Sequence, residues 1–265
     1  MKLWTLTAPA GIALLLGAVP AMGAAPTASA QPQFASHIVN APRIRAKSSA
    51  PTGSYGWSSS NWSGYAVTGS TYNSITGSWV VPTVSSPRGT EYSSCWIGID
   101  GFNNSDLIQT GTEQDASSNG STSYSAWWEI LPAAETPISS MTIHPGDHMS
   151  ASIVNNNNGT WTITLNDNTT GQSFTTTQAY SGPAQSAEWI MEAPTVGGRV
   201  ATLAHYGQAT FDPGTVNGTN PGFTSSDGGV MIQHNKQVST PSNPDSDTDG
   251  FNVAYGSTAP AAPQS

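Results

Sequence analysis

The chain has 265 residues, and only 9% of them are charged, far below the roughly 25% that is usual for globular domains. This composition argues against a helical protein of the cytosol, while 36% hydrophobic residues and nine Trp exclude wholesale disorder. From residue 48 onward, three basic residues stand against sixteen acidic ones, a net charge of −13. Such a surface repels phosphate backbones and anionic lipids, so we expect neither nucleic acid nor membrane as a partner.

The first thirty residues have the pattern of an export signal. Lys2 precedes the apolar run 11–19, and the small residues ending in Ala28-Ser-Ala30 fit a signal peptidase site. The run is too short to span a bilayer, and no later window stays apolar over about eighteen residues. We therefore expect residues 1–30 to be a signal peptide and the protein to be secreted.

Residues 31–54 form a stretch with little hydrophobic periodicity. Arg43, Arg45 and Lys47 stand there among Pro, Ala and Ser. A disordered spacer is the more common fate of such a composition. The alternative is a basic pro-segment whose three cationic side chains bind the acidic domain that follows and thereby inhibit it.

From Tyr55, segments rich in Val, Ile, Thr and Trp alternate with clusters of Gly, Asn, Pro and Ser, which predicts strands and turns. Twelve strands are predicted, at 61–67, 74–81, 92–99, 107–111, 123–131, 149–154, 160–166, 173–178, 187–193, 201–211, 229–233 and 251–255. No window has the period of a long amphipathic helix, and no repeat of about 40 residues indicates a propeller. The sequence predicts an all-β fold for residues 55–265, a single catalytic domain built as an antiparallel jelly-roll β-sandwich of the concanavalin A-like type.

Several common catalytic and metal sites find little support. The chain lacks a Gly-x-Ser-x-Gly elbow, and its one cysteine, Cys95, falls in a predicted buried strand. His144 and His148 are separated by Pro and Gly, which favours a turn over a metal-binding helix. The acidic run 245–249 resembles the start of a calcium loop but lacks the glutamate at the twelfth position. We assign no metal and no cofactor, and calcium at 245–249 stays an alternative to an exposed acidic turn.

Two predicted strands place a glutamate among aromatic residues. The two-residue period of strand 123–131 puts Trp127 and Glu129 on one face and leaves the other face for the core. In a later strand the same period sets Glu192 beside Ile190. A glutamate among apolar neighbours has the tunable pKa that acid–base catalysis needs, although a solvated strand carboxylate is the more common outcome.

Four sequence blocks, supported by residues 124–132, resemble the glutamic peptidases, or eqolisins, which are secreted acid endopeptidases on a jelly-roll sandwich. The blocks are Ser60-Asn-Trp-Ser-Gly64, Cys95-Trp-Ile-Gly-Ile-Asp-Gly101, Leu107-Ile-Gln-Thr-Gly111 and Ser186-Ala-Glu-Trp-Ile-Met-Glu192. The resemblance implies a catalytic dyad of Gln109 and Glu192. It also implies a substrate cleft lined by Trp62, Trp96, Asp100, Trp127 and Glu129.

The chain departs from the fungal pattern in three respects. Ser125 stands where an acidic residue is expected, Leu131 stands where a Tyr is expected, and the disulfide cysteines are absent. These differences affect subsites and stability and leave the two dyad positions unchanged.

The residue chemistry is compatible with peptide hydrolysis by a monomer acting on polypeptide substrates. Glu192 can take a proton from water and return it to the leaving amine, while Gln109 can hold the water and donate to the oxyanion. Two alternatives stay open. An extracellular glycoside hydrolase would use Glu129 and Glu192 across an aromatic cleft, and a carbohydrate-binding module would need neither glutamate.

Overall fold

The computed structural model describes residues 1–4, 34–47 and 55–265. Most of the predicted signal peptide, and residues 31–33 and 48–54 of the stretch that follows it, lie outside the described residues. From Pro32 to Ser265 the chain forms one unit. In this described part, no helix is long and apolar enough to cross a bilayer.

The described residues form eighteen strands and one short 3-10 helix at Ser225–Asp227. The strands are β1 Ile38–Val39, β2 Trp57–Ser59, β3 Trp62–Thr68, β4 Ser74–Val80, β5 Thr90–Ile99, β6 Ile108–Ser117, β7 Thr122–Ile130, β8 Thr136–Pro137, β9 His148–Asn155, β10 Thr160–Asp167, β11 Gln172–Ala179, β12 Ser186–Glu192, β13 Thr195–Val196, β14 Arg199–Val200, β15 Gln208–Val216, β16 Gly228–Gln233, β17 Lys236–Pro241 and β18 Phe251–Tyr255.

Nearly all of the strands belong to one large sheet. Its order is β11-β10-β9-β4-β15-β18-β17-β16-β3-β12-β5-β6-β7-β8, and β2 pairs with β16 in the one parallel pairing between named strands of the described chain. A separate small sheet has the order β1-β13-β14. Antiparallel neighbours with a two-residue side-chain period leave one face of each strand for the core and the other for solvent or a cleft.

The large sheet folds back on itself into two packed layers. A methyl group on Gly77 of β4 would come within 2.6 Å of the Ile97 side chain of β5 and 2.8 Å of the Trp189 ring of β12. Only glycine allows this close approach between the layers. Ile97 and Trp189 belong to the main buried apolar cluster. The predicted antiparallel β-sandwich is confirmed.

Besides the short strands β1, β2, β8, β13 and β14, which were not predicted, the observed strands differ from prediction in three larger respects. β6 continues to Ser117, six residues beyond the predicted end, because its polar second half is fully buried between β5 and β7. The strand expected at 201–211 begins at Gln208 and runs to Val216 through a register irregularity after Phe211. β17 was not predicted, since its sequence Lys-Gln-Val-Ser-Thr-Pro has few apolar residues.

Candidate active site

Five neighbouring strands, in the order β3-β12-β5-β6-β7, build the floor of a cleft. Cross-strand pairing sets Glu192 of β12 opposite Trp62 of β3, and Gln109 of β6 opposite Glu129 of β7. As predicted for β7, Trp127 belongs to a second apolar cluster under this cleft, whereas Ala126 belongs to the main core. β12 divides in the same way, with Ile190 in the second cluster and Trp189 in the core.

Two glycines make room for the indole of Trp96 in the cleft floor. A methyl group on Gly111 would lie 2.5 Å from Trp96 Cβ, and one on Gly98 would lie 2.9 Å from the Trp96 ring. The Trp96 ring packs edge-on against Trp62, with centroids 5.0 Å apart. The glycines in the blocks 95–101 and 107–111 therefore serve to seat the tryptophan whose ring nitrogen reaches Glu192.

Glu192 is fully buried and receives three hydrogen bonds. Trp96 Nε1 donates to Oε2 at 2.9 Å, while Asn61 Nδ2 at 3.2 Å and the backbone N–H of Ala41 at 3.0 Å donate to Oε1. Burial raises the pKa of the Glu192 carboxyl well above its usual range, and the charge of Glu129 adds to this effect. The three donors oppose the rise because they favour the carboxylate.

Gln109 is also fully buried, and its amide group is oriented by Glu129. Its Nε2 donates to Glu129 Oε2 at 2.8 Å and to the backbone carbonyl oxygen of Asn40 at 2.6 Å. Glu129 Oε2 accepts, in addition, the backbone N–H of Asn40 at 3.0 Å. Glu129 Oε2 and the Asn40 carbonyl oxygen both accept from Nε2, which fixes the orientation of the Gln109 amide. Burial raises the pKa of Glu129 to about 9.

The chain's own segment 34–47 runs through the cleft and contacts both residues of the predicted dyad, Glu192 and Gln109. On one side of the dyad, Ile38 and Val39 pair with β13. On the other side, the Ala41 carbonyl oxygen accepts from Trp62 Nε1 at 2.9 Å, and the Ile44 N–H donates to Asn61 Oδ1 at 2.8 Å. The segment thus binds as an extended peptide that covers the dyad.

The basic side chains of this segment do not form the charge pairs that the inhibitory alternative requires. No Arg or Lys of the described chain lies within 4.0 Å of a carboxylate; the ion pair found there is His144–Asp147. Arg43 instead lies 3.6 Å from the Phe102 ring centroid and donates to the Phe102 carbonyl oxygen at 3.1 Å. Arg45 donates to Asn103 Oδ1 at 3.2 Å. Backbone hydrogen bonds, and not charge pairs, connect the segment to the dyad.

Beyond Gln109, the cleft face of β6 carries further buried acids. Glu113 and Asp115 lie four and six residues after Gln109, which places them on the same face of β6, and Glu135 approaches them from the chain after β7. Burial raises the pKa of all three carboxyl groups. The charge of Asp115 adds to the rise for Glu113 and Glu135, whereas the interaction with Glu113 opposes it for Asp115. Glu135 Oε2 accepts from Asn40 Nδ2 at 3.4 Å. This side of the cleft is lined by carboxyl groups that the sequence analysis did not assign to the site.

Asp100 has a different place from the cleft-lining one that the resemblance implies. Its carboxylate accepts from the hydroxyl of Tyr180 at 2.7 Å and from the backbone N–H groups of Ala184 and Gln185 at 2.8 and 2.9 Å. It therefore fixes a neighbouring loop to the end of β5. The next residue, Gly101, supplies the carbonyl oxygen that accepts the Arg43 N–H at 3.0 Å.

Asn61 is the residue at the dyad that the sequence analysis did not single out. It contacts Glu192 and also donates to the carbonyl oxygens of Ala41 and Pro42. The only signal was its place beside Trp62 in the block 60–64, where the chain enters β3.

A second acidic group, Asp212, Asp245 and Asp249, brings three carboxylate oxygens within 4.8 Å of one another. Asp212 reaches the predicted acidic turn from β15, which the sequence spacing did not reveal. Burial and the neighbouring charges raise the pKa of Asp212 to about 6. Carboxylate oxygens are typical ligands of calcium, but a protonated carboxyl group is not, so this group of residues suits calcium only when it is ionised.

The sequence from 60 to 255 matches the model of the Peptidase A4 family, and the chain belongs to this family. It is 32% identical over 179 residues to aspergillopepsin-2 of Aspergillus niger, and 30% identical over 138 residues to scytalidopepsin B of Scytalidium lignicola. These alignments cover 58% and 50% of this chain, and the chain spans 62% and 51% of the length of the two relatives.

Solved structures of glutamic peptidases have the same fold. The crystal structure of scytalido-glutamic peptidase with a transition state analog inhibitor superposes with a TM-score of 0.63 at 24% identity, covering 74% of this chain and 98% of that one. Aspergilloglutamic peptidase from Aspergillus niger gives a TM-score of 0.53 at 27% identity, covering 62% and 99%. The chain is thus an eqolisin by family and by fold.

Proposed function

We propose that the chain is the precursor of a secreted acid endopeptidase that hydrolyses peptide bonds with Glu192 and Gln109. The observation that supports this assignment most directly is the fit of a peptide group to both side chains. The carbonyl oxygen of Asn40 faces the Gln109 NH₂ at 2.6 Å, and the N–H of the next residue, Ala41, faces Glu192 at 3.0 Å. An oxyanion donor and a proton-transfer group are needed at those two ends of a scissile bond.

In the proposed reaction, Glu192 takes a proton from a water molecule that attacks the carbonyl carbon. Gln109 Nε2 donates to the oxygen that becomes negative, and Glu192 then passes its proton to the leaving nitrogen. Glu129 acts as a positioning residue, since it orients the Gln109 amide. The pKa of Glu192 is raised while segment 34–47 covers the cleft. When the segment leaves and water enters, this pKa falls, because the carboxyl is hydrated and the donors Trp96 and Asn61 still favour the carboxylate.

The substitution Gln109→Glu tests this role of Gln109. Wild type and variant both carry a recognition site for an unrelated protease, inserted within residues 48–54. Cleavage at this site separates segment 34–47 from the sandwich in both proteins before the assay. We expect casein hydrolysis by the variant to fall by about 10²–10³-fold, with partial recovery only at the lowest pH, where the new carboxyl is protonated and can donate.

The pH–rate profile on casein is the measurement, with Gln178→Glu on the outer strand β11 as the control for the same chemical change. Casein hydrolysis at wild-type rates by Gln109→Glu across the acid range would make Gln109 a bystander and direct attention to Glu129. Parallel assays on xylan and glucan test the glycosidase alternative, which needs Glu129 and Glu192 but not Gln109.

Hydrolysis at acid pH is expected to survive a thiol alkylator, a chelator and an aspartic-protease transition-state analogue. Cys95 is fully buried, and burial raises its thiol pKa, so the thiolate is not available. Below about pH 6, Asp212 is protonated and its cluster is a poor cation site. Casein assays with each reagent check this; loss of activity with the chelator alone would assign the Asp212 cluster a required metal.

A further inference from the structure

Three carboxyl groups meet outside the cleft, on elements that are not part of its floor. Asp212 lies on β15, and Asp245 and Asp249 lie in the loop 242–250 that connects β17 to β18. One oxygen of each residue lies within 4.8 Å of the other two. No other three His, Cys, Asp or Glu side chains of the described chain come together in this way, so the acids at the cleft do not form a comparable group.

One oxygen of Asp245 is buried at this place without a hydrogen bond. Asp245 is 6% exposed, and its Oδ1 accepts the backbone N–H groups of Asp249 at 3.1 Å and of Gly250 at 3.2 Å. These two bonds fix the orientation of the carboxyl group, and Oδ2 is left without a partner. A buried carboxylate oxygen of this kind is destabilising unless it binds something, so it indicates an ion or a water molecule.

Gly250 leaves open the space that this oxygen faces. A methyl group on Gly250 would lie 2.5 Å from Asp245 Oδ2 and 2.7 Å from Asp212 Cγ. Oδ2 is therefore directed toward Asp212, across a gap that a larger residue would obstruct. Asp249, the third member of the group, also has an oxygen, Oδ1, that is inaccessible to solvent and makes no hydrogen bond.

The charge of the group is not compensated by the protein. No Lys, Arg or His of the part of the chain that the structure describes lies within 4.0 Å of Asp212, Asp245 or Asp249. Asp247, which is exposed in the same loop, adds a further negative charge. A water molecule would satisfy the unpartnered oxygen but leave the repulsion between the carboxylates, whereas a divalent cation removes both costs.

We propose that Asp212, Asp245 and Asp249 bind one calcium ion. The donor atoms are all oxygens, which favours a hard cation over zinc or copper. Calcium binds its oxygen ligands at about 2.3–2.6 Å, so two ligands of one ion lie at most about 5 Å apart. The separation of up to 4.8 Å fits this limit. Magnesium has shorter bonds of about 2.1 Å and keeps most of its water, which this set of carboxylates suits less well.

The ion connects loop 242–250 to β15 and thereby supports part of the core. The loop already accepts two backbone hydrogen bonds, from Gly214 to Asp249 and from Phe223 to Thr248, both at 2.9 Å. The ring of Phe223 packs edge-on against Trp189, with centroids 4.9 Å apart. The role of the ion is structural, and it does not depend on the proposed function.

The test uses the purified full chain, treated with EDTA and dialysed at about pH 7.5, where the three carboxyl groups are ionised. Isothermal titration with calcium chloride is expected to show one ion per chain, with a dissociation constant of about 10⁻⁴–10⁻³ M. Calcium at about 10 mM should then raise the Tm by about 3–10 °C. Magnesium chloride at equal ionic strength should raise it by less than half as much.

Asp245→Asn separates ion binding from a purely structural role of this residue. The variant keeps Oδ1 for the N–H groups of Asp249 and Gly250, but it replaces Oδ2 with an NH₂ group that cannot bind a cation. We expect the affinity for calcium to fall by at least about 10-fold, while the Tm without calcium stays equal to that of wild type or exceeds it. A purely structural Asp245 would instead lower the Tm with and without calcium.

Two further variants complete the test. Asp249→Asn, at a position whose side chain accepts no hydrogen bond through Oδ1, should lose the calcium response in the same way. Asp106→Asn makes the same change of charge at an exposed position outside the group and should keep the wild-type response.

The outcomes of these measurements are distinct. Failure of wild type to bind calcium, or equal binding by wild type and Asp245→Asn, would overturn the inference. Equal effects of magnesium and calcium on the Tm would overturn the assignment to calcium. Casein hydrolysis at acid pH is measured separately, so each of these results leaves the proposed function standing.

Discussion

Replacing Glu192 by Gln is expected to reduce casein hydrolysis by about 10²–10⁴-fold while leaving the fold in place. The side chains are nearly isosteric, but an amide nitrogen cannot take the proton of the attacking water. In the folded state, Trp96 Nε1 and Asn61 Nδ2 donate to the two carboxyl oxygens of Glu192, and the glutamine replaces one of these oxygens with an NH₂ group. One donor then faces another donor, which lowers the unfolding free energy by about 1–3 kcal/mol. A lower Tm is therefore expected alongside the loss of activity.

The measurement compares kcat/KM of wild type and variant at acid pH after the segment is detached at an inserted protease site. Detachment is essential, since the segment covers Glu192 and Gln109 and would otherwise mask the effect of the substitution. Glu188→Gln is the matched control, because Glu188 lies on the same face of β12, is equally buried and makes no hydrogen bond to the segment. A Glu192→Gln enzyme within about tenfold of wild type would remove Glu192 from the role of base.

The unfolding free energy is expected to be highest in acid, at about pH 3–4, and to fall as the pH rises toward neutrality. Burial raises the pKa of Glu129 to about 9 and that of Asp212 to about 6, and it raises those of Glu113, Glu188 and Glu192 as well. In the unfolded chain these groups ionise near their usual values of 4.5 for Glu and 3.8 for Asp.

The sign follows from proton binding. Between the unfolded and folded pKa values, the folded state holds more protons, so its stability decreases with rising pH, by up to about 1.4 kcal/mol per pH unit for each group that stays neutral. The contribution of the neutral buried carboxyls to the unfolding free energy is fully present below about pH 4. It is lost progressively up to about pH 9, where Glu129 titrates.

Urea unfolding over a pH series measures the effect. Glu113→Gln should flatten the curve because it removes one of the buried titrating groups, whereas Asp106→Asn, at an exposed position, should leave the slope unchanged. A free energy that is constant or rises between about pH 4 and 8 would contradict the assignment of neutral buried carboxyls.

The sequence predicted those parts of the site in which side-chain alternation is strong. Trp127 with Glu129 on β7, and Ile190 with Glu192 on β12, face the cleft as the two-residue period required. The second half of β6 was missed because Glu113 and Asp115 look like the polar end of a strand. Their burial arises in the context of the neighbouring strands β5 and β7, which no local pattern contains.

The segment itself escaped prediction for a related reason. Its contacts with Glu129, Gln109 and Glu192 use backbone N–H and C=O groups, which every residue possesses and which leave no compositional trace. The sequence drew attention to the conspicuous cations, yet Arg43 packs on Phe102 and pairs with no carboxylate. Only the short apolar pair Ile38 and Val39 marked the stretch that joins the sheet.

The covalent link between the segment and the sandwich makes the segment a tethered competitor of any peptide that enters the cleft. As long as residues 48–54 connect the two, the segment has an effective concentration at the cleft on the order of millimolar, whatever the concentration of the protein. Its contacts with Glu192, Gln109 and Trp62 occupy the groups that an incoming peptide would need. A peptide present well below that concentration therefore does not displace the segment while the chain is intact.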